Sequence, residues 1–283
     1  MPTLPSGSAR SADQELHRQR VMAESFGADP ERYDRTRPRY PQAMVARIVT
    51  ASPGPDLLDV GCGTGIAARQ FRAAGCRVLG VDVDERMVQQ ARYGGVEVEV
   101  AAFEAWDPVG RTFDAVAAGQ SWHWVDPVGG ASKAAQVLRP GGRLAVFWNA
   151  GQPPPGLAAA FSAVYRRVLP DASLLHRALP GPDGYSTLLA GAADGIRRSG
   201  AFGDPQQWRF DREQSYTRDE WLDQVPTFGG HSTLPPASLA RLLAGLGAAV
   251  DALGGAFSMR YTTVVITAAR TDRPVAVRRV QSS

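Results

Sequence analysis

The stretch Leu57-Leu58-Asp59-Val60-Gly61-Cys62-Gly63-Thr64-Gly65 constrains the fold more than any other part of the chain. The apolar run Leu57 to Val60 reads as a buried strand. Three glycines at alternate positions then open a turn, and Ile66-Ala67-Ala68-Arg69-Gln70-Phe71 reads as the helix that follows. Glycine lets the backbone turn tightly and lets a ligand lie against main-chain N–H groups at a helix N-terminus. A dinucleotide-binding turn needs G-x-G-x-x-G, with its third glycine where helix and strand pack closely. Here the spacing is G-x-G-x-G and Ile66 occupies that third position. The strand also carries a carboxylate, Asp59, which repels a pyrophosphate and suits a cationic ligand.

The rest of the chain repeats the strand–helix alternation. Arg77 to Asp82 is a second strand ending in an acid, and Asp84 is the better N-cap for the helix that starts near Glu85. At the carboxyl end of the second strand of a doubly wound sheet, Asp82 is placed to hydrogen-bond both hydroxyls of a ribose. Val96 to Val100 alternates as a third strand, and Phe113 to Ala118 is the fourth. The fourth delivers Gly119 and then Gln120-Ser121-Trp122-His123-Trp124-Val125-Asp126 to the crevice beyond the strand ends, where ligands of such sheets bind. Leu138-Arg139-Pro140-Gly141-Gly142 stops a helix before the fifth strand, Leu144 to Trp148, at whose end Trp148 and Asn149 are candidates to face a substrate. Five such units make an α/β doubly wound sheet.

Three motifs carry a resemblance. D-x-G-x-G-x-G at Asp59, Gly61, Gly63 and Gly65 resembles the first motif of class I S-adenosylmethionine-dependent methyltransferases. Tyr33, Arg37, Pro38, Tyr40 and Pro41 are similar to the Y-x-x-x-R-P-x-Y-P segment of small-molecule relatives of the trans-aconitate type, and His123-Trp124-Val125-Asp126 resembles their H-W-F-D stretch. The resemblance implies a mostly parallel, seven-stranded Rossmann-like sheet with its last strand antiparallel. It also implies S-adenosyl-L-methionine as cofactor. Its amino-acid and ribose part would face the glycine turn and its ammonium would lie near Asp59. Met87 would lie against the adenine, although a Met on a helix is as often core. Many relatives carry an Asp-Ala pair after strand three. Ala102-Phe103 stands here instead, leaving the Phe103 backbone N–H to reach an adenine nitrogen.

The domain reading is an N-terminal arm over 1–24, a cofactor-binding core over 25–150, an inserted helical lid over 151–205, completion of the sheet over 206–270, and a tail over 271–283, with both ends flexible. In the C-terminal part Thr217 and Glu220 form a capping-box pattern, Pro236 to Leu253 carries a leucine stripe, and Met259 to Ala268 reads as the last strand.

The net charge of +3 is spread partly into the terminal segments, so no dense basic stripe points to nucleic acid. Cys62 and Cys76 do not form a disulfide framework, no apolar run reaches a membrane span, and the N-terminus lacks a signal-peptide core. These features point to the cytoplasm, with no metal and no membrane partner. The expected reaction is displacement at the cofactor methyl group by a small organic acceptor, through oxygen ahead of nitrogen or carbon. His123 is the candidate base where the acceptor must lose a proton. Tyr33, Arg37, Trp122, Trp124 and His231 are candidate substrate contacts, the two tryptophans through cation–π attraction. For each a packing role is the alternative. A nicotinamide oxidoreductase and a non-catalytic cofactor-binding protein are the rival readings.

Overall fold

The computed structural model describes residues 25–170 and 182–271. The expected arm over 1–24 and the tail from 272 onward lie outside these residues. The described strands form a seven-stranded sheet in the order β3-β2-β1-β4-β5-β7-β6. Strands β1 (Asp56–Val60), β2 (Arg77–Asp82), β3 (Glu97–Val100) and β4 (Phe113–Gly119) pair in parallel, as do β4 and β5 (Leu138–Gln152). Strand β7 (Ala256–Ala269) runs antiparallel to β5, and β6 (Gln206–Thr217) forms the edge. This is the implied topology, with the switch in strand order between β1 and β4.

Helices lie where the sequence punctuation puts them. Helix α1 (Pro30–Thr36) is capped by Asp29, and α2 (Gln42–Thr50) buries Met44, Val45 and Ile48. Helix α3 (Ile66–Ala73) starts directly after Gly65, whose φ of +81° only glycine adopts without strain. Asp84 caps α4 (Glu85–Tyr93) by accepting from the Arg86 N–H, so Asp82 is free of that duty. Helix α5 (Pro127–Val137) leads directly into β5. The expected turn at Leu138 to Gly142 is a bulge within that strand. Leu138 pairs with Phe113 and Arg143 with Ala115, so four residues on β5 are spanned by one on β4. Pro140 lacks an N–H for the ladder and Gly141 has φ +74°, which together favour looping out.

Two compact units make up the described residues. The larger comprises 38–152, 182–214 and 259–271; the smaller comprises 25–37, 153–170 and 215–258. The core of the larger unit is built from alternate residues of the central strands, among them Leu58, Val60, Val116, Ala118, Leu144 and Val146. It also takes in Ala192 and Ile196 of α7 (Ser186–Ser199), which packs on α5 so closely that a Cβ on Gly195 would strike the Pro127 backbone at 2.3 Å. The stretch 151–205, expected as one lid, is therefore divided. Helix α7 belongs to the sheet's own helical layer, whereas α6 (Pro155–Val168) belongs to the smaller unit.

In the smaller unit α6 packs on α9 (Pro236–Asp251), with Val164 against Gly245. Trp221 of α8 (Arg218–Gln224) is buried and stacks on Phe161 with ring centroids 5.6 Å apart and an interplanar angle of 2°. The expected capping box is present, with Thr217 and Glu220 bonding reciprocally.

Candidate cofactor site

The carboxyl ends of β1, β2 and β4 converge on the glycine turn. Gly61, Gly63 and Gly65 all have positive φ, at +63°, +54° and +81°. A Cβ on Gly61 would lie 2.4 Å from Cβ of Ser121, and one on Gly63 would meet the Met87 methyl at 3.5 Å. The turn is thus a backbone surface closed from one side by Ser121, just past β4, and approached from another by the buried Met87.

Two acids meet the turn. Asp82 is anchored: its Oδ2 accepts from the Gly63 N–H at 2.8 Å and its Oδ1 from the Asp84 N–H at 2.9 Å. Burial raises its pKa while those N–H groups oppose the rise. Each carboxylate oxygen keeps a second lone pair for a ligand hydroxyl. Asp59 is different. It is 1% exposed and neither carboxylate oxygen has a hydrogen-bond partner. Burial, with the charge of Asp82 adding to it, pushes its pKa up to about 7, and the nearby Ala68 N–H offsets only part of this without forming a well-directed bond. A buried acid without a partner is costly, and a cation placed beside it removes the cost. The donor set fits S-adenosylmethionine: Asp82 would hold the ribose hydroxyls, the negative charge of Asp59 would favour the ammonium, and the turn would allow close approach.

The residues after β4 do not all face one way. Trp122 is 2% exposed, lies in the core cluster and packs 6.2 Å from Phe103. It is a core residue, contrary to its expected place on the acceptor side, because a single 3₁₀ turn over Trp122–Trp124 points successive side chains in different directions. Phe103 is likewise buried by its ring, which leaves only its backbone for a ligand. Trp124 is half-buried, with its ring centroid 4.5 Å from that of His123.

His123 is held by β5. Trp148 Nε1 donates to His123 Nδ1 at 3.3 Å. An indole N–H can only donate, so Nδ1 is unprotonated and the neutral ring carries its proton on Nε2. The residue is exposed at the surface, yet desolvation by the atoms packed around its ring lowers its pKa to about 4. In this arrangement His123 presents a neutral N–H donor at Nε2, which corrects its expected role as a base. Trp148 and Asn149 are buried, and Asn149 Oδ1 accepts from Thr263 Oγ1 at 2.5 Å, so neither faces a substrate.

Gln120 had no signal in the sequence. It has φ +59°, rare for a residue with a side chain. Its N–H bonds Phe147 O at 2.9 Å and its Nε2 bonds Asn149 O at 3.3 Å.

The remaining candidates lie in the smaller unit and are described within it. Arg37 stands over the rings of Tyr33 and Phe228, at 4.7 and 5.1 Å, and its Nη2 donates to Thr227 O at 2.5 Å. His231 is fully buried: one ring nitrogen contacts Tyr165 Oη at 2.9 Å and the other Gly229 O at 3.3 Å. Burial, with the nearby Arg37 charge adding to it, lowers its pKa to about 4. With both nitrogens engaged inside its own unit, His231 is a packing residue in this structure.

Residues 58–146 match the family model described as a methyltransferase domain. An uncharacterized methyltransferase of Mycobacterium tuberculosis is 35% identical over 133 residues, 46% of this chain and 54% of that protein. A malonyl-[acyl-carrier protein] O-methyltransferase of Pseudescherichia vulneris is 30% identical over 159 residues, 54% of this chain and 63% of that protein. The chain thus spans little more than half the length of the curated relatives it matches. A solved structure described as a candidate type II methyltransferase of Anaeromyxobacter dehalogenans shares the fold, with TM-score 0.58 and 24% identity over 84% of this chain and 99% of that one. Among the described residues no group of side chains could hold a metal ion and no helix is long and apolar enough to cross a membrane. Residues 58–146, which hold the glycine turn, Asp59 and Asp82, are thus a methyltransferase domain of the class I S-adenosylmethionine-dependent kind.

Proposed function

We propose that the protein methylates a small organic acceptor at oxygen, and that the acceptor oxygen belongs to a carboxylate. The observation that carries the reading is Asp59, a buried carboxylate without a hydrogen-bond partner beneath a backbone cradle, which calls for a cationic ligand. The cofactor, when bound, supplies an electrophilic methyl group on a sulfonium. The chain's residues then need to hold and orient the partners and exclude water.

The tautomer of His123 supports the choice of acceptor. A phenol or alcohol needs a base, whereas a carboxylate reaches the site already ionised and gains from a neutral N–H donor such as His123 Nε2. Trp124 beside it supplies an aromatic face. A relative named as an O-methyltransferase supports oxygen over nitrogen. Two buried free thiols, Cys62 and Cys76, suit a reducing cytoplasm.

The test has two stages. Calorimetry with S-adenosylhomocysteine should show binding that weakens at least about tenfold in Asp82→Ala, as loss of a charge-assisted bond pair implies. Radiolabelled methyl transfer is then measured against matched sets of small carboxylic acids, phenols and amines. Base-labile label on the acids supports the reading, and label on amines alone refutes it.

A further inference from the structure

The strained residue at the end of β4 is not explained by folding. Gln120 has φ +59°, a conformation that costs a residue with a Cβ about 1 kcal/mol or more and that is stored mainly at functional sites. Glycine, which stands at the preceding position, would adopt it freely. Instead a long carboxamide is held there. Its backbone N–H bonds Phe147 O at 2.9 Å, and Nε2 reaches Asn149 O at 3.3 Å. A backbone carbonyl can only accept, so the amide turns its NH2 toward β5 and its Oε1 away from it. The residue is half-buried, and Oε1 is not among the buried polar atoms lacking partners, so it has access to solvent or ligand. The next residue is pinned to β1, with Ser121 Oγ donating to Val60 O at 2.6 Å. Gln120 therefore stands at the switch point, beside the strand that leads into the glycine turn.

We infer that Gln120 is a cofactor-positioning residue whose carboxamide oxygen faces the positive sulfonium of the methyl donor, so that the site distinguishes the charged donor from its neutral thioether product. The inference rests on the cofactor assignment made above. An amide oxygen carries a partial negative charge that attracts a sulfonium and gains nothing from a thioether. Asp59 adds its full charge elsewhere at the turn, where donor and product are alike. A tighter hold on the donor than on the product would hasten product exchange.

Two variants separate positioning from structure. Gln120→Met keeps the chain length and the strained backbone but removes the oxygen, and Gln120→Gly removes both oxygen and strain. S-adenosylmethionine and S-adenosylhomocysteine are titrated separately into wild type and each variant. Both variants should lose about tenfold in affinity for S-adenosylmethionine, the worth of a contact to a charged group, while S-adenosylhomocysteine affinity stays within about twofold. Equal effects on both ligands, or none, overturn the inference while leaving the cofactor assignment intact. Failure of the wild type to bind either ligand overturns both.

Discussion

Replacing Asp59 by asparagine should stabilise the ligand-free protein at alkaline pH and cripple cofactor binding. An aspartate that titrates near 3.8 when unfolded and at about 7 in the fold binds its proton more tightly when folded. Stability contributed by the neutral acid is therefore full below about pH 4 and is lost as pH rises toward 7. A difference of roughly three pH units corresponds to about 4 kcal/mol of stability lost by pH 8. An asparagine at the same place avoids the charge but leaves a buried amide to satisfy, which costs about 1–3 kcal/mol. The net gain at pH 8 is therefore roughly 1–3 kcal/mol, or a rise of about 2–8 °C in melting temperature. At pH 5 the wild type has lost only about 1–2 kcal/mol, which the cost of the variant's buried amide offsets, so the two proteins should melt within about 2 °C of each other. Differential scanning calorimetry at the two pH values measures both quantities. Calorimetry with S-adenosylhomocysteine should show affinity for the variant reduced by at least about tenfold, since its ammonium loses the anionic partner. A variant equally affected at pH 5 and pH 8, or one that binds the ligand like wild type, would refute the reasoning.

Two further outcomes follow from the same site. Gly61→Ala should destabilise by about 2–4 kcal/mol, because its Cβ would lie 2.4 Å from Ser121 Cβ at φ +63°; a melting temperature within about 1 °C of wild type would contradict this. His123 should titrate well below the ordinary imidazole value and carry its proton on Nε2, as read by nitrogen-15 NMR, whereas a proton on Nδ1 would break the pairing with Trp148 on which the donor role depends.

Local signals were the ones that translated faithfully into structure. The three glycines, the Asp84 cap and the Thr217–Glu220 box depend on residues within a few positions of one another, and each appears where its chemistry requires. The doubly wound parallel sheet follows from the same strand–helix rhythm, whereas its seven strands and antiparallel member are what the family resemblance implies. What was hidden depends on distant partners. His123 reads as a base until Trp148, 25 positions away on β5, is found occupying Nδ1. Trp122 and Trp124 are identical in type, and only the direction of a short turn sends the first into the core. The lid expected over 151–205 includes α7, but Ala192, Gly195 and Ile196 on that helix are the small and branched residues that let it settle on α5. The left-handed backbone of Gln120 has no sequence signal, because glutamine rarely takes it.

The smaller unit is assembled from three separate stretches of chain, 25–37, 153–170 and 215–258. No single truncation of the gene can release it, and its first and last pieces lie nearly 180 positions apart. Ends this far apart meet slowly until the intervening chain has collapsed, and high contact order delays folding. The Arg37–Thr227 and Arg32–Asp223 bonds close sequence separations of 190 and 191 positions, and so wait on that collapse. The aromatic cluster around Trp221 and Phe257 cannot close until residue 257 has left the ribosome, long after residues 25–37 have done so.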